Sequence, residues 1–306
     1  MMLDSDMSQR SVVTVGVFDG VHQGHAALLE TTIALARTEG LRSAAVTFYP
    51  HPKSVVRGLE MPLLATVSRR TRLLQQRGIE TVFVCEFDAA RAAQDATEFI
   101  DEVLIEQLQA AIVVVGEGFR FGKGAAGNAQ TLRDAGLIVH ELPIVGASGD
   151  RVSSTRIRGT LAEGDVADAQ RLLGRPHRVE GVVVHGNARG REIGYPTANL
   201  AVVDGLLIPA DGVYAGWVLR GEISHGFDGD EMLPAAISIG TNPTFDDVFE
   251  RRVEAYVLDR TDLDLYGEYV AFDFHSRIRG TLKFDGLEPL LEAMARDVDA
   301  ARVSLT

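Results

Sequence analysis

Up to about residue 174, short runs rich in Val, Ile and Phe at 12–17, 44–48, 81–84, 112–115 and 137–142 alternate with longer stretches at 25–38, 68–77 and 96–109. Those longer stretches read as helices, 25–38 and 96–109 with apolar residues returning every three or four positions, and the alternation predicts βαβ units on a parallel sheet. From about Arg178 the helical period disappears. Strand-like segments follow at short spacing over 180–185, 212–219, 233–239, 253–258 and 269–275, and a last helical pattern covers 287–303. Short strands without intervening helices predict a small antiparallel barrel, with the final helix as its cap. Gly174 and Pro176 stop the helix before the change, so the reading is an α/β chain of two domains, residues 1–174 and 175–306.

Composition and charge narrow the classes. With 46% hydrophobic and 24% charged residues over 306 positions, the chain suits two globular domains with cores of their own. Thirty Lys plus Arg against 43 Asp plus Glu give a net charge of −13, which argues against nucleic acid or an anionic membrane as partner. Any phosphate must then be held locally. The longest apolar run, 110–115, is too short to cross a bilayer, and the first ten residues lack the apolar region of an export signal. A soluble, cytoplasmic protein is expected. Cys85 is the sole cysteine and lies in a strand-like run, so it reads as a core thiol and excludes an intrachain disulfide or a CxxC centre.

The first chemical signal is Gly16-Val-Phe-Asp-Gly-Val-His-Gln-Gly-His25, between the first strand and the first helix. A helix start offers unpaired N–H groups and a positive dipole end to an anion, and glycines at 20 and 24 let a phosphate chain approach the backbone. His22 and His25, three apart, share one face of a helical turn, where they can meet charge developing on an α-phosphate. Surface histidines at a helix start are the plainer alternative. Gly122-Lys123 suggests a P-loop, but Glu117 and Gly124 occupy the positions where that motif needs Gly and Ser or Thr.

The second signal runs from His185 to Leu200 and contains Pro196-Thr197-Ala198-Asn199. In an extended chain Thr197 and Asn199 point the same way, offering two neutral hard oxygens suited to Mg2+ that completes its shell with water and phosphate. Gly186, Gly190 and Gly194 would let the preceding loop fold over a nucleotide. Glu254 alternates with Val253 and Ala255 and shares a strand face with Tyr256 and Leu258; it reads either as a solvated glutamate or as a carboxylate looking into a barrel mouth.

These segments carry a resemblance. Residues 16–25 are similar to the His-x-Gly-His signature of the nucleotidyltransferase superfamily. Together with Thr47-Phe-Tyr-Pro-His-Pro52, Val152-Ser-Ser-Thr-Arg-Ile-Arg158 and the glycine-rich 115–122, they resemble the FMN adenylyltransferase module of bacterial bifunctional riboflavin kinase/FAD synthetases. From Leu172 to Leu200, and on through 209–214, 239–245, 253–259 and 264–267, the chain resembles the riboflavin kinase module. The resemblance implies a Rossmann-like nucleotidyltransferase domain followed by a helix-capped barrel, with riboflavin, FMN and ATP as small-molecule partners and Mg2+ as the ion. It also implies the roles. His22, His25 and Arg156 would serve adenylyl transfer; Gly16, Phe18, Asp19, Gly24, Ser154, Thr155 and Arg158 would hold the nucleotide. Thr197 and Asn199 would form the Mg-nucleotide site, and Glu254 would be the general base taking the proton of the riboflavin 5′-hydroxyl.

Three positions depart from that pattern: Gly118 stands where Asp or Asn is usual, Asn128 where Asp is common, and Thr281 where the family often has Glu. Three other readings stay open. The N-terminal half could be a decayed adenylyltransferase beside a working kinase, the chain could carry flavin without turning over ATP, or its first half could transfer a nucleotide to another phosphate compound. Self-association is open as well.

Overall fold

The computed structural model describes residues 10–143, 152–186, 194–221, 231–241, 251–260 and 262–306. These form two compact units, one of residues 1–61 with 67–153 and one of residues 62–66 with 154–306.

In the first unit, β1 (Ser11–Val15), β2 (Arg42–Tyr49), β3 (Thr81–Glu86), β4 (Ala110–Gly116) and β5 (Ile138–Leu142) make one parallel sheet in the order β3-β2-β1-β4-β5. Every residue of β4, Ala-Ala-Ile-Val-Val-Val-Gly, is buried, as a strand covered on both faces requires. Val113 and Val115 face one core with Ile100, Val103 and Leu104; Ile112 and Val114 face the other with Leu28, Leu29 and Leu74. The helices of this unit are α1 (Ala26–Glu39), which supplies Leu28 and Leu29, α2 (Pro52–Arg57), α3 (Val67–Gln76), which supplies Leu74, α4 (Ala89–Ala93), α5 (Ala96–Phe99) and α6 (Ala129–Asp134). The sequence predicts one helix over 96–109; α5 instead runs on as a π-helical turn, Ile100–Gln107. The strand order reverses between β1 and β4, and in such sheets the crevice beyond the carboxyl ends at that point is where ligands settle. The Gly16–His25 loop leaves β1 there.

The second unit opens with α7 (Ser154–Glu163) and α8 (Val166–Leu173). A barrel follows, made of β6 (His177–Val184), β7 (Ala198–Val202), β8 (Gly212–Arg220), β9 (Glu231–Thr241), β10 (Arg251–Val257) and β11 (Tyr269–Arg279). It closes in the order β10-β7-β6-β11-β8-β9, each neighbour antiparallel. Closure removes the exposed edges that a free sheet would carry. Val253, Ala255, Val257, Ile237 and Ile239 are buried and alternate with more exposed neighbours, as barrel walls require. Gly216 admits no side chain, because a Cβ would lie 2.1 Å from the Asp273 carbonyl oxygen.

The helical pair is tied to the barrel through its backbone: Ala210 N–H donates to Leu161 O at 2.9 Å and Arg277 donates to Glu163 O at 2.9 Å. Residues 62–66 join the same unit, with Leu63 paired parallel to Leu206. Helix α9 (Leu287–Ser304) lies on the outer wall, where Ala301, Val298 and Leu305 meet Ala215, Tyr256 and Leu258. Arg279 anchors it by a two-pronged bond to Asp297, at 2.8 and 2.7 Å, which gives this arginine a structural task. Among the described residues no helix is long and apolar enough to cross a membrane.

Candidate active sites

At the end of β1 the chain makes an unusual turn. Phe18 and Val21 adopt φ of 49° and 39°, and Gly20 adopts 78°. A left-handed φ is costly for a β-branched residue, so the turn holds strain that its surroundings must keep in place. Phe18, Asp19 and Val21 are all buried, and Val21 N–H donates to Phe18 O at 2.9 Å. The turn delivers His22 in extended conformation, followed by one 3₁₀ turn, Gln23–His25, that leads into α1. As a result the imidazoles of His22 and His25 stack, 3.7 Å apart with 17° between planes, and Phe18 meets His25 edge-on at 5.1 Å. The expected pairing of the two histidines on one face is therefore present, formed by a 3₁₀ turn in place of the first turn of the helix.

The glycines of this loop have steric tasks. A Cβ on Gly24 would lie 2.6 Å from the Val152 carbonyl oxygen, and one on Gly16 would press on the Phe18 ring at 3.0 Å. Asp19 faces Arg70 at 3.5 Å. In the neighbouring 116–119 turn, Phe119 N–H closes on Gly116 O at 3.0 Å, and Gly118 sits at φ 73° with open space around its Cβ position. That conformation suits Gly, Asn or Asp, which accounts for the residue types compared at this position. Asn128 caps α6, its Oδ1 accepting from Gln130 N–H at 2.8 Å and Thr131 N–H at 3.2 Å. An amide serves that capping as well as a carboxylate does.

Ser154, Thr155, Arg156 and Arg158 form the first turn of α7, in the second unit. Ile157 between them is fully buried, which fixes the helix and turns Thr155 and Arg156 outward. Arg156 lies 3.9 Å from Asp168, and Arg158 donates its Nε to Pro62 O at 2.7 Å.

On the barrel, the ladder places Glu254 of β10 directly opposite Asn199 of β7. Thr197, two residues before Asn199, donates its hydroxyl to Glu254 Oε2 at 3.3 Å, so the three side chains meet on one face. That face is the outer wall, which corrects the expectation of a carboxylate looking into the barrel mouth: Val253, Ala255 and Val257 fill the inward positions. The expected company of Tyr256 and Leu258 is present, both packed under α9. Tyr195 meets Tyr256 edge-on at 5.2 Å, and His185 stacks on Tyr266 at 4.0 Å. A Cβ on Gly186 would lie 2.4 Å from Asn199 Nδ2, so only glycine lets the loop rest on that amide. Gly194 takes φ 85°, and Gly190 lies outside the described residues.

Burial pushes the Glu254 carboxyl up from its ordinary pKa, against the smaller opposing effects of the Thr197 hydrogen bond and the Arg252 charge. Asn199 Oδ1 is buried without a hydrogen-bond partner among the described residues. A buried acceptor left unpaired is costly, and a hard cation is one group that would satisfy it. With the Thr197 hydroxyl beside it, the donor set fits Mg2+.

Sequence reasoning missed two residues. Ser238 of β9 stands opposite Glu254 on its other side, a placement that only strand register reveals. Arg70 belongs to the run Val67–Gln76, where four arginine and glutamine neighbours make any single arginine look solvated. Its burial had no signal in the sequence.

The switch-point loop with its stacked histidines and the barrel wall with its Thr-Asn-Glu cluster are two separate polar clusters, and the comparisons with known families define the chain as a transferase of nucleotide-dependent reactions. The family description FAD synthetase matches residues 4–156, and riboflavin kinase matches residues 173–305. The chain is 33% identical over 296 residues to a bifunctional riboflavin kinase/FMN adenylyltransferase of Listeria monocytogenes, covering 95% of this chain and 91% of that one. To the protein of the same description from Escherichia coli K12 it is 35% identical, again over 95% and 91% of the two chains. A Streptococcus pneumoniae crystal structure described as a macrolide-efflux protein superimposes with a TM-score of 0.84 at 35% identity, covering 98% of this chain and 96% of that one. The chain belongs to the bifunctional riboflavin kinase/FMN adenylyltransferase family.

Proposed function

We propose that this protein makes flavin cofactors in two ATP-dependent steps, phosphorylation of riboflavin to FMN in residues 175–306 and adenylylation of FMN to FAD in residues 1–174. It is a riboflavin kinase and an FMN adenylyltransferase, with ATP as substrate of both reactions. The observation that carries the kinase reading is the meeting of Glu254, Thr197 and Asn199 on one barrel face.

In the first step Glu254 accepts the proton of the riboflavin 5′-hydroxyl, whose oxygen bonds to the γ-phosphorus of ATP as the bond to ADP breaks. Burial that raises the Glu254 pKa makes it the stronger base once ionised. Thr197 and Asn199 would hold Mg2+, which when bound neutralises phosphate charge. Gly186, Gly190 and Gly194 would shape the loop over the nucleotide.

In the second step an oxygen of the FMN phosphate bonds to the α-phosphorus of another ATP and pyrophosphate leaves. His22, His25 and Arg156 would stabilise the charge that develops there. Gly16, Phe18, Asp19 and Gly24 form the loop at the phosphates, and Ser154, Thr155 and Arg158 supply further donors. A cytoplasmic location goes with this reading, since ATP is its co-substrate.

The test is a time course with riboflavin, ATP and Mg2+, the flavins being separated by chromatography. FMN first and FAD after it is the expected order. FMN that accumulates even when supplied directly would leave only the kinase, and no ATP-dependent product at all would make the protein a flavin carrier.

A further inference from the structure

Among the fully buried side chains the largest is an arginine, Arg70, with no exposed surface. Burying a guanidinium is expensive unless its charge is paired and its donors are used. Here Nη1 donates to Val17 O at 3.1 Å, to Thr47 Oγ1 at 3.1 Å and to Phe48 O at 3.0 Å, while Nη2 reaches Asp19 Oδ1 at 3.5 Å. Thr47 Oγ1 in turn donates to Val17 O at 2.7 Å. One planar cation on α3 therefore gathers the carboxyl ends of β1 and β2 and the carboxylate at the centre of the strained turn.

The turn it grips is the one with Phe18 and Val21 at positive φ. Such strain persists only where the surroundings fix each residue in place, and a five-donor fork with fixed geometry is suited to that task. The next residues along are His22 and His25, whose stacking depends on where the turn sets them down. A misplacement of about 1 Å in a reacting group can cost about a hundredfold in rate.

We propose that Arg70 is a positioning residue for adenylyl transfer, holding the Val17–His22 turn in the conformation that places the His22–His25 pair. It does so without touching substrate. The inference rests on the reading of His22 and His25 given above.

The test is Arg70→Lys, which keeps the charge and loses the fork. The kcat for FMN adenylylation should fall about 10- to 100-fold while KM for FMN and ATP stays within about threefold, the split expected when geometry and not binding is lost. Riboflavin phosphorylation by the same sample should stay within about twofold, since the kinase groups lie on the barrel. The imidazole resonances of His22 and His25 should shift as their stacking changes. Thr47→Val, which removes one acceptor and leaves Arg70 in place, should lower the same kcat about 3- to 10-fold, and it decides the matter should Arg70→Lys not fold. An adenylylation kcat within twofold of the parent, or a parallel loss of both activities, would overturn the proposal. His25→Ala measured alongside separates the two levels: normal FAD output there sinks the site reading, whereas an inactive His25→Ala with an unaffected Arg70→Lys sinks only the role of Arg70.

Discussion

Glu254 and His25 reach their places in the fold by different means. The glutamate is set by a strand ladder, Glu254 opposite Asn199, with the interior of a closed barrel fixing which face each residue takes. The histidine is set by a turn with two non-glycine residues at positive φ, held by contacts from outside its own segment. A ladder is regular, and with one face buried its register is strongly specified, since a slip by one residue would turn every side chain to the other face. A strained turn is not, and it needs a clamp. The comparison teaches that the barrel centre should yield mainly to changes in its own chemical groups, while the loop centre should yield also to changes in the residues that hold it.

The largest effect is expected for Glu254→Gln. FMN formation should fall about 10²- to 10⁴-fold, the range for loss of a general base, while FAD formation from supplied FMN persists. Its pH dependence sharpens the point. Because burial raises the Glu254 pKa, the acid limb of FMN formation should lie above the ordinary carboxylate range, and it should vanish in the variant. The same shift bears on stability. Below the unfolded-state pKa both folded and unfolded forms are protonated and the burial costs nothing extra; as pH rises through the folded-state pKa the ionised, buried carboxylate lowers stability. Glu254→Gln should therefore be more stable than the parent at neutral pH, with the gain shrinking in acid, as thermal melts at several pH values would show.

His25→Ala comes next, with FAD formation down about 10²- to 10³-fold and FMN formation unchanged in chromatographic assays. Gly24→Ala tests the clamped geometry alone. Its methyl group would stand 2.6 Å from a backbone oxygen, so the loop must shift, and FAD formation should drop about tenfold without loss of kinase activity. Gly118→Asn should have the smallest effect. The position has open space and a φ that Asn tolerates, so the melting temperature should hold, and adenylylation kinetics should change by no more than about threefold.

Much of this was legible in the sequence, for physical reasons that also mark where legibility stops. The run Ala110–Gly116 reads as a strand buried on both faces and is one, because a parallel strand must be apolar on both sides. The five barrel segments named from alternation each fall on a strand, since a closed barrel imposes the period of two. The Thr197–Asn199 alignment follows from the same period. The meeting of those two with Glu254 does not, for register is a property of paired strands and not of either alone. Composition changes near residue 174, yet α7 and α8 pack with the barrel through the α7 carbonyls Leu161 O and Glu163 O, which accept from Ala210 N–H and the Arg277 side chain, and a backbone acceptor leaves no mark in the side-chain pattern. Arg70 is the sharpest omission: its burial comes from acceptors in two other segments, the Val17–His22 turn and the end of β2.

The most direct measurement of the central claim, two separate centres on one chain, is the Glu254→Gln protein assayed twice with ATP and Mg2+, once with riboflavin and once with FMN. FAD from FMN at the parental rate, with almost no FMN from riboflavin, is the predicted result. Loss of both reactions in a protein that melts like its parent would contradict it.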